Sequence, residues 1–357
     1  MWLGRSALPC GVGLFPALLG CGAAPTSDQA VTHAPIVVDG HGTDRGNGTA
    51  AAPFRTLGRA LAAAKPGDTV QLAAGDYTLA AGEEWGYSAP PRLTIRGDTS
   101  QTTHLYGPAY DGRPGFEVVG TLTLEHLELN GFGTALEQTA PGALSLSDVN
   151  VVNCTAGVVV RETSQGAVVR IDDSQISGGV FVDAPESELY IDATDVDGST
   201  SSAAVNFSGR RVDISGSTLR PGATSFGVSL RAGALSLSDT SISGGNYGVY
   251  QLLGSSRLRH TQIEDYGSIG LYFASGALDL GTETEAGDNA FVDRGVGTAF
   301  GLYVDTGTEP ATASNTSFDG VTPEASVVTA TTEEVAAPGA YFITPGQRLT
   351  FFRVSEP

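Results

Sequence analysis

What most constrains this chain is a short internal repeat. From Thr121 onward, an alternating strand, a turn, one aliphatic residue, a Gly-rich stretch and a second short strand follow one another repeatedly. The apolar pair of the first strand recurs as Leu122/Leu124, Leu144/Leu146, Val169/Ile171, Leu189/Ile191, Val212/Ile214, Leu235/Leu237 and, degraded, Ser256/Leu258. A single aliphatic residue comes next: Leu129, Val151, Ile176, Val196, Leu219, Ile242 and Ile263. The second strand contributes Leu136, Val158, Val180, Val205, Val228, Val249 and Leu271, often with Gly just before it.

The repeat length selects the architecture. Successive copies lie roughly 20 to 25 residues apart, whereas a βαβ unit needs about 30 or more and a helical crossover, and helical solenoids need longer, amphipathic repeats. Strands of period two separated by Gly, Ser, Asp and Asn instead wind one coil per repeat. Equivalent positions then stack about 4.8 Å apart, and the aliphatic positions become ladders inside a cylinder. The expectation is an all-β chain wound as a parallel β-helix over residues 35–320. Composition agrees: 48 Gly and 16% charged residues are too glycine-rich and too charge-poor for a coiled coil, and 41% hydrophobic residues exclude an acidic disordered chain.

A stack needs covered ends. Leu57, Ala60, Leu61 and Ala64 lie at i, i+3, i+4 and i+7, with Thr56 placed as N-cap and Pro66-Gly67 as the stop, so a short helix is expected to cap the first coil. Thr69-Val70-Gln71-Leu72 then starts the winding. The segment 321–357 breaks the repeat; Ser326–Ala330 and Gln347–Phe352 are expected strands covering the last coil, leaving a monomer.

Residues 1–20 have the features of a sorting signal: Arg5 is followed by an apolar stretch too short to cross a bilayer and interrupted by Pro9 and Pro16. Leu18-Leu19-Gly20-Cys21 resembles a bacterial lipobox, which implies lipid attachment to Cys21 and a membrane anchor. Residues 21–34, lacking apolar periodicity, are expected to serve as a flexible tether. Gly22 after the lipidated Cys implies, by the same resemblance, the outer membrane rather than the inner one, so the expected location is the cell envelope, as an outer-membrane or surface-exposed lipoprotein. With Cys10 removed and Cys21 acylated, Cys154 has no disulfide partner and is expected as a small buried side chain.

Charge narrows the partners. With 19 Lys and Arg against 39 Asp and Glu, the net charge is −20, opposite to the basic stripe that nucleic acid requires. Ca²⁺ or neutral sugars suit such a surface better.

Ile36-Val37-Val38-Asp39-Gly40, Asn47-Gly48-Thr49, Pro53-Phe54-Arg55-Thr56-Leu57, Ala64-Lys65-Pro66-Gly67-Asp68-Thr69-Val70 and Gly75-Asp76-Tyr77 resemble the opening of the pectate-lyase-like right-handed parallel β-helix superfamily. They are most similar to a domain of unknown function at the N-terminus of bacterial surface β-helix proteins. Asp279–Thr282, Gly287–Phe291 and Ala313–Thr316 look like closing coils of that group. The resemblance implies the fold and a cap, not a catalytic site.

Aligning the coils fixes outward columns. One presents Arg170, Tyr190 and Asp213 on successive coils, and the next presents Asp172 and Asp192. Neighbouring carboxylates suit acid and base roles in glycoside cleavage, or Ca²⁺ beside an arginine base in a lyase; Tyr190 would contact sugar. Against an enzyme, Lys65 is the only lysine and lies off the coils, and the paired-Asp, His-Gly and Arg-Ile-Lys motifs of polygalacturonases are missing. Asp39, Asp44 and Asn47 form a second candidate, a Ca²⁺ loop that competes with an Asx-turn series. His126, Asp148, Asp173, Asp239 and His260 share one turn column. The favoured reading is a surface-anchored, structural or polysaccharide-binding lipoprotein without catalytic activity; the rival is a polysaccharide lyase or hydrolase using Asp172, Asp192, Asp213 and Arg170.

Overall fold

A computed structural model describes residues 34–108, 112–282, 284–292, 300–308, 313, 315–318 and 353–354. These form a parallel β-solenoid of about nine turns. Every strand-to-strand ladder in it is parallel and joins one coil to the next; Leu144 and Leu146, for example, lie over Leu122 and Leu124 and under Val169 and Ile171. Leu146, Ile171, Ile191, Ile214 and Leu237 pile up in register and are at most 1% exposed. Each fully buried aliphatic side chain contributes about 1.5–3 kcal/mol, so these ladders are the main cohesive element. Two further ladders, through Leu129 and Leu136, follow the expected register.

Winding begins earlier than the repeat alone indicates. Ile36–Val38 pairs in parallel with Val70–Leu72, so Thr69–Leu72 belongs to the second rung rather than the first. Ile36 and Val70 lack the spacing of the later repeats because the capping helix is inserted between them; Val70 then stacks against Ile95. That cap, α1 (Leu57–Ala63), carries Thr56 as N-cap and buries Leu57, Ala60 and Leu61. Carboxylates from outside the helix complete its N-terminus. Asp44 accepts from the Arg55 and Thr56 N–H groups, and Glu83 accepts from Leu57 N at 2.8 Å.

One corner of the coil is built from two adjacent columns. In the first, His126, Asp148, Asp173, Ala193, Gly216, Asp239, His260, Asp288 and Asn315 all take left-handed backbone conformations, with φ between 46° and 55°. Asp and Asn tolerate that region because their short polar side chains bond locally. The residue after each of the later corners points inward and is polar: Ser174, Thr194, Ser217, Thr240, Thr261, Asn289 and Thr316 are all buried. Four of these side chains accept backbone N–H groups from the preceding coil, Val149 N to Ser174 Oγ at 3.1 Å, Ser174 N to Thr194 Oγ1 at 3.3 Å, Thr194 N to Ser217 Oγ at 3.1 Å and Thr261 N to Asn289 Oδ1 at 3.1 Å, while Thr240, Thr261 and Thr316 donate to backbone carbonyls. A turn inside a hydrophobic cylinder strands backbone donors, and this internal column satisfies them. Where the inward residue is apolar, at Leu127 and Val149, the strand instead runs continuously through the corner.

The expected signal, lipid site and tether at 1–20, Cys21 and 21–34 lie outside the described residues, save Ala34. So do the expected closing strands Ser326–Ala330 and Gln347–Phe352; of 321–357 only Arg353–Val354 is described, paired with Val304 and Asp305. Among the described residues, no helix is long and apolar enough to cross a membrane.

Candidate functional site

The first outward face places the expected residues as the alignment implied. Arg170, Tyr190 and Asp213 occupy successive rungs of one column, and Asp172, Asp192 and Ser215 occupy the next. The column brings these groups into contact with one another. The Arg170 guanidinium lies over the Tyr190 ring, 4.8 Å from its centroid, and the Tyr190 hydroxyl donates to Glu188 at 2.7 Å. Asp213 holds Arg211 through both carboxylate oxygens, at 2.8 and 2.7 Å, and Asp192 accepts from Ser215. Burial, reinforced by the charges of Asp192 and Asp173, pushes the Asp172 carboxyl above its ordinary value, while Arg170 pulls it down. Glu188 and Arg211 flank the face and were not legible as partners, because each sits outside the two columns singled out.

In the cap loop, Asp39 accepts from the His41 N–H, Asn47 from the Thr49 N–H and hydroxyl, and Asp44 from Arg55, Thr56 and the Thr56 hydroxyl. These oxygens are spent on turns and on the start of α1. Among the described residues, no group of three or more His, Cys, Asp or Glu is arranged to hold a metal ion. At the corner, His126 Nδ1 meets Asp148 at 2.8 Å, and His260 sits between Asp239 and Asp288, 3.4 Å from each. Cys154 is buried, its thiol pushed up by burial.

The face that the sequence reading did not single out is the third one, on the strands through Val158, Val180, Val205, Val228, Val249 and Leu271. Its outward column runs Val159, Phe181, Asn206, Ser229, Tyr250, Tyr272 on consecutive coils. A neighbouring column carries Phe226 and then Tyr247. The rings touch: Tyr250 and Tyr272 are stacked with centroids 4.9 Å apart and planes 12° apart, Phe226 and Tyr247 are stacked at 5.3 Å, and Phe226 meets Tyr250 at 5.2 Å. Such pairs are worth about 0.5–1.5 kcal/mol beyond the area they bury. All four rings remain partly exposed, and Leu252, two residues beyond Tyr250, is among the few exposed large apolar side chains.

Immediately below the aromatic stretch, the same column floors a cleft of about 380 Å³. Val159, Phe181 and Asn206 form its base, with Arg161, Glu162, Asp183 and Arg231 around it. Arg161 is paired with Glu137, whereas neither the Asn206 amide nor the Arg231 guanidinium bonds another side chain among the described residues. Cleft and rings together make a strip with hydrogen-bonding groups at one end and aromatic surface at the other. The signal was present as the Phe181, Phe226, Tyr247, Tyr250 and Tyr272 spacing, hidden because those residues alternate with the aliphatic ladder that dominates the pattern.

Stacked parallel coils, a capping helix and faces of aligned outward side chains define a pectate-lyase-like parallel β-helix protein. Solved structures with this fold include a lacto-N-biosidase of family GH136 from Eubacterium ramulus (12% identity over 79% of this chain and 67% of that one, TM-score 0.50). They also include pectate lyase Pel9A (13% identity, 81% of this chain and 80% of that one, TM-score 0.43) and a rhamnogalacturonan lyase (13% identity, 80% and 88%, TM-score 0.46). None of the curated proteins matches the chain. The chain belongs to the family described as "Protein of unknown function (DUF1565)", whose profile matches residues 40–325.

Proposed function

We propose that this protein is a surface-anchored bacterial lipoprotein, held in the outer membrane through Cys21, whose β-helix binds extracellular polysaccharide without cleaving it. The observation that carries the binding reading is the third face: a 380 Å³ cleft whose Asn206 amide and Arg231 guanidinium bond no other side chain among the described residues, continuous with partly exposed tyrosine rings on adjoining coils. Sugar rings present apolar C–H faces and polar hydroxyls, and a strip that pairs aromatic surface with unengaged donors suits both. Glycan-array binding by the purified full chain tests it: binding by the wild type, retained in Tyr250→Phe and lost in Tyr250→Ala, supports the assignment, and silence across the array refutes it. Membrane association that survives Cys21→Ser would refute the lipid anchor.

One observation favours the rival reading of a lyase or hydrolase on the first face: the Asp172 carboxyl, raised by burial and by Asp192, is suited to proton transfer. Its partners argue the other way, since Asp213 is neutralised by Arg211 and Arg170 is stacked on Tyr190. New reducing ends or unsaturated products from neutral or uronate polysaccharides, with or without Ca²⁺, and lost in Asp172→Asn, would establish the enzyme.

A further inference from the structure

We infer that the ligand of the third face is an uncharged, extended glycan lying parallel to the solenoid axis, with roughly one sugar per coil. This rests on the glycan-binding reading above and names the chemical class and binding mode of that same site. The strip's geometry is that of the coil stack. From Val159 to Tyr272 the outward column advances one residue per rung, and five rungs of about 4.8 Å span ~24 Å. An extended pyranose chain advances by nearly the same distance per sugar, so a chain laid along the axis meets an equivalent position on every coil. A chain laid across the axis would cross the strip within a residue or two and leave most of it unused.

Charge decides the class of sugar. The outward positions Asn206, Ser229, Tyr250 and Tyr272, and beside them Phe226 and Tyr247, include no ionisable acid or base other than the tyrosine phenols. The first face, by contrast, carries Arg170, Asp172, Asp192, Asp213 and Arg257 at equivalent outward positions. At the cleft end, Arg231 is offset by Glu162 and Asp183, and Arg161 is already paired with Glu137. No surplus of positive charge greets a polyanion, and the chain as a whole carries −20. A polyuronate would bring a carboxylate to nearly every rung of an uncharged strip on an acidic protein, a mismatch that costs affinity at each step. A neutral chain meets the Asn206 amide and Arg231 guanidinium with its hydroxyls and the tyrosine rings with its C–H faces.

The test is calorimetric titration of the full chain with cello-oligosaccharides and manno-oligosaccharides, from the disaccharide to the hexasaccharide, in parallel with oligogalacturonates of matching length. The expected result is affinity that climbs with each added neutral sugar and levels off near the pentasaccharide, with oligogalacturonates about tenfold or more weaker. The double variant Asp183→Asn, Glu162→Gln, whose side chains are exposed at the rim of the cleft, should narrow the gap by strengthening oligogalacturonate binding by a larger factor than it changes binding of the neutral series. Oligogalacturonates that bind as tightly as the neutral series, or affinity that stops rising at the disaccharide, overturn this inference while leaving glycan binding intact. Silence toward every glycan overturns the glycan-binding reading itself and this inference with it.

Discussion

Thr194→Val is the sharpest probe of how the coil closes. Valine keeps the shape and the β-branch, so packing within the cylinder is nearly conserved; only the hydroxyl is lost. In the native protein that hydroxyl accepts the Ser174 N–H at 3.3 Å and donates to the Asp192 carbonyl at 2.7 Å, and the residue is 2% exposed. Its removal leaves the Ser174 N–H buried without a partner, which costs about 1–3 kcal/mol. The control is Thr194→Ser, which keeps both bonds and gives up one methyl group, about 1 kcal/mol. Urea unfolding followed by circular dichroism ranks the three proteins. Because a solenoid need not unfold in one step, amide hydrogen exchange at Ser174 supplies the local readout: protection should fall in the Val variant and persist in the Ser variant. A Val variant as stable as wild type, or a Ser variant less stable than the Val variant, would refute the claim that the polar column satisfies the corner backbone.

Three further outcomes are expected. Burial, opposed by hydrogen bonds from Tyr87, Leu57 and Gly58, raises the Glu83 carboxyl above its ordinary value, so the native state binds that proton more tightly than the unfolded chain. Stability should therefore decline as pH rises from the ordinary glutamate range, about 4.3, through the raised value, and Glu83→Gln should flatten that part of the curve in thermal melts. Gly248→Ala directs a Cβ into the Ile263 side chain and the Gly270 carbonyl of the next coil and should cost about 1–3 kcal/mol, measured by the same urea assay. Asp173→Gly relieves a left-handed φ of 48° and should be neutral or slightly stabilising, whereas Asp173→Val should cost about 1–2 kcal/mol; equal stability of the two variants would contradict the strain.

The ladders were legible because they repeat. Leu146, Ile171, Ile191, Ile214 and Leu237 alternate with polar residues at a period only stacked strands explain, and they stack. Thr56 and the Leu57, Ala60, Leu61 spacing likewise announced the cap. The first rung at Ile36–Val38 was missed because the helix insertion removes the period there. The corner column was noticed for its Asp and His residues but not for the left-handed backbone beneath them. The buried hydroxyls after it were hidden because Ser and Thr in a Ser-rich chain give no contrast; only the closed coil turns them inward. The first face was drawn correctly as columns, yet its pairings with Glu188 and Arg211 depend on side-chain reach across rungs, which alignment does not encode. The aromatic strip was lost for a related reason: a cleft is made by what surrounds a column, and its walls come from different places, Arg161 just past its strand, Asp183 at the last position of its own and Arg231 within Phe226–Ser238.

Every neighbourhood described above depends on the register of the stack, and spin-label distances measure it directly. With Cys10, Cys21 and Cys154 replaced by Ala, nitroxide pairs joining Thr123 to Tyr190, Asp213 or Ser236 place the second label on three successive rungs of one outward column. The account predicts distances that lengthen by about 4.8 Å from each pair to the next. Distances that fail to rise in even steps, or that shorten along the series, would contradict it.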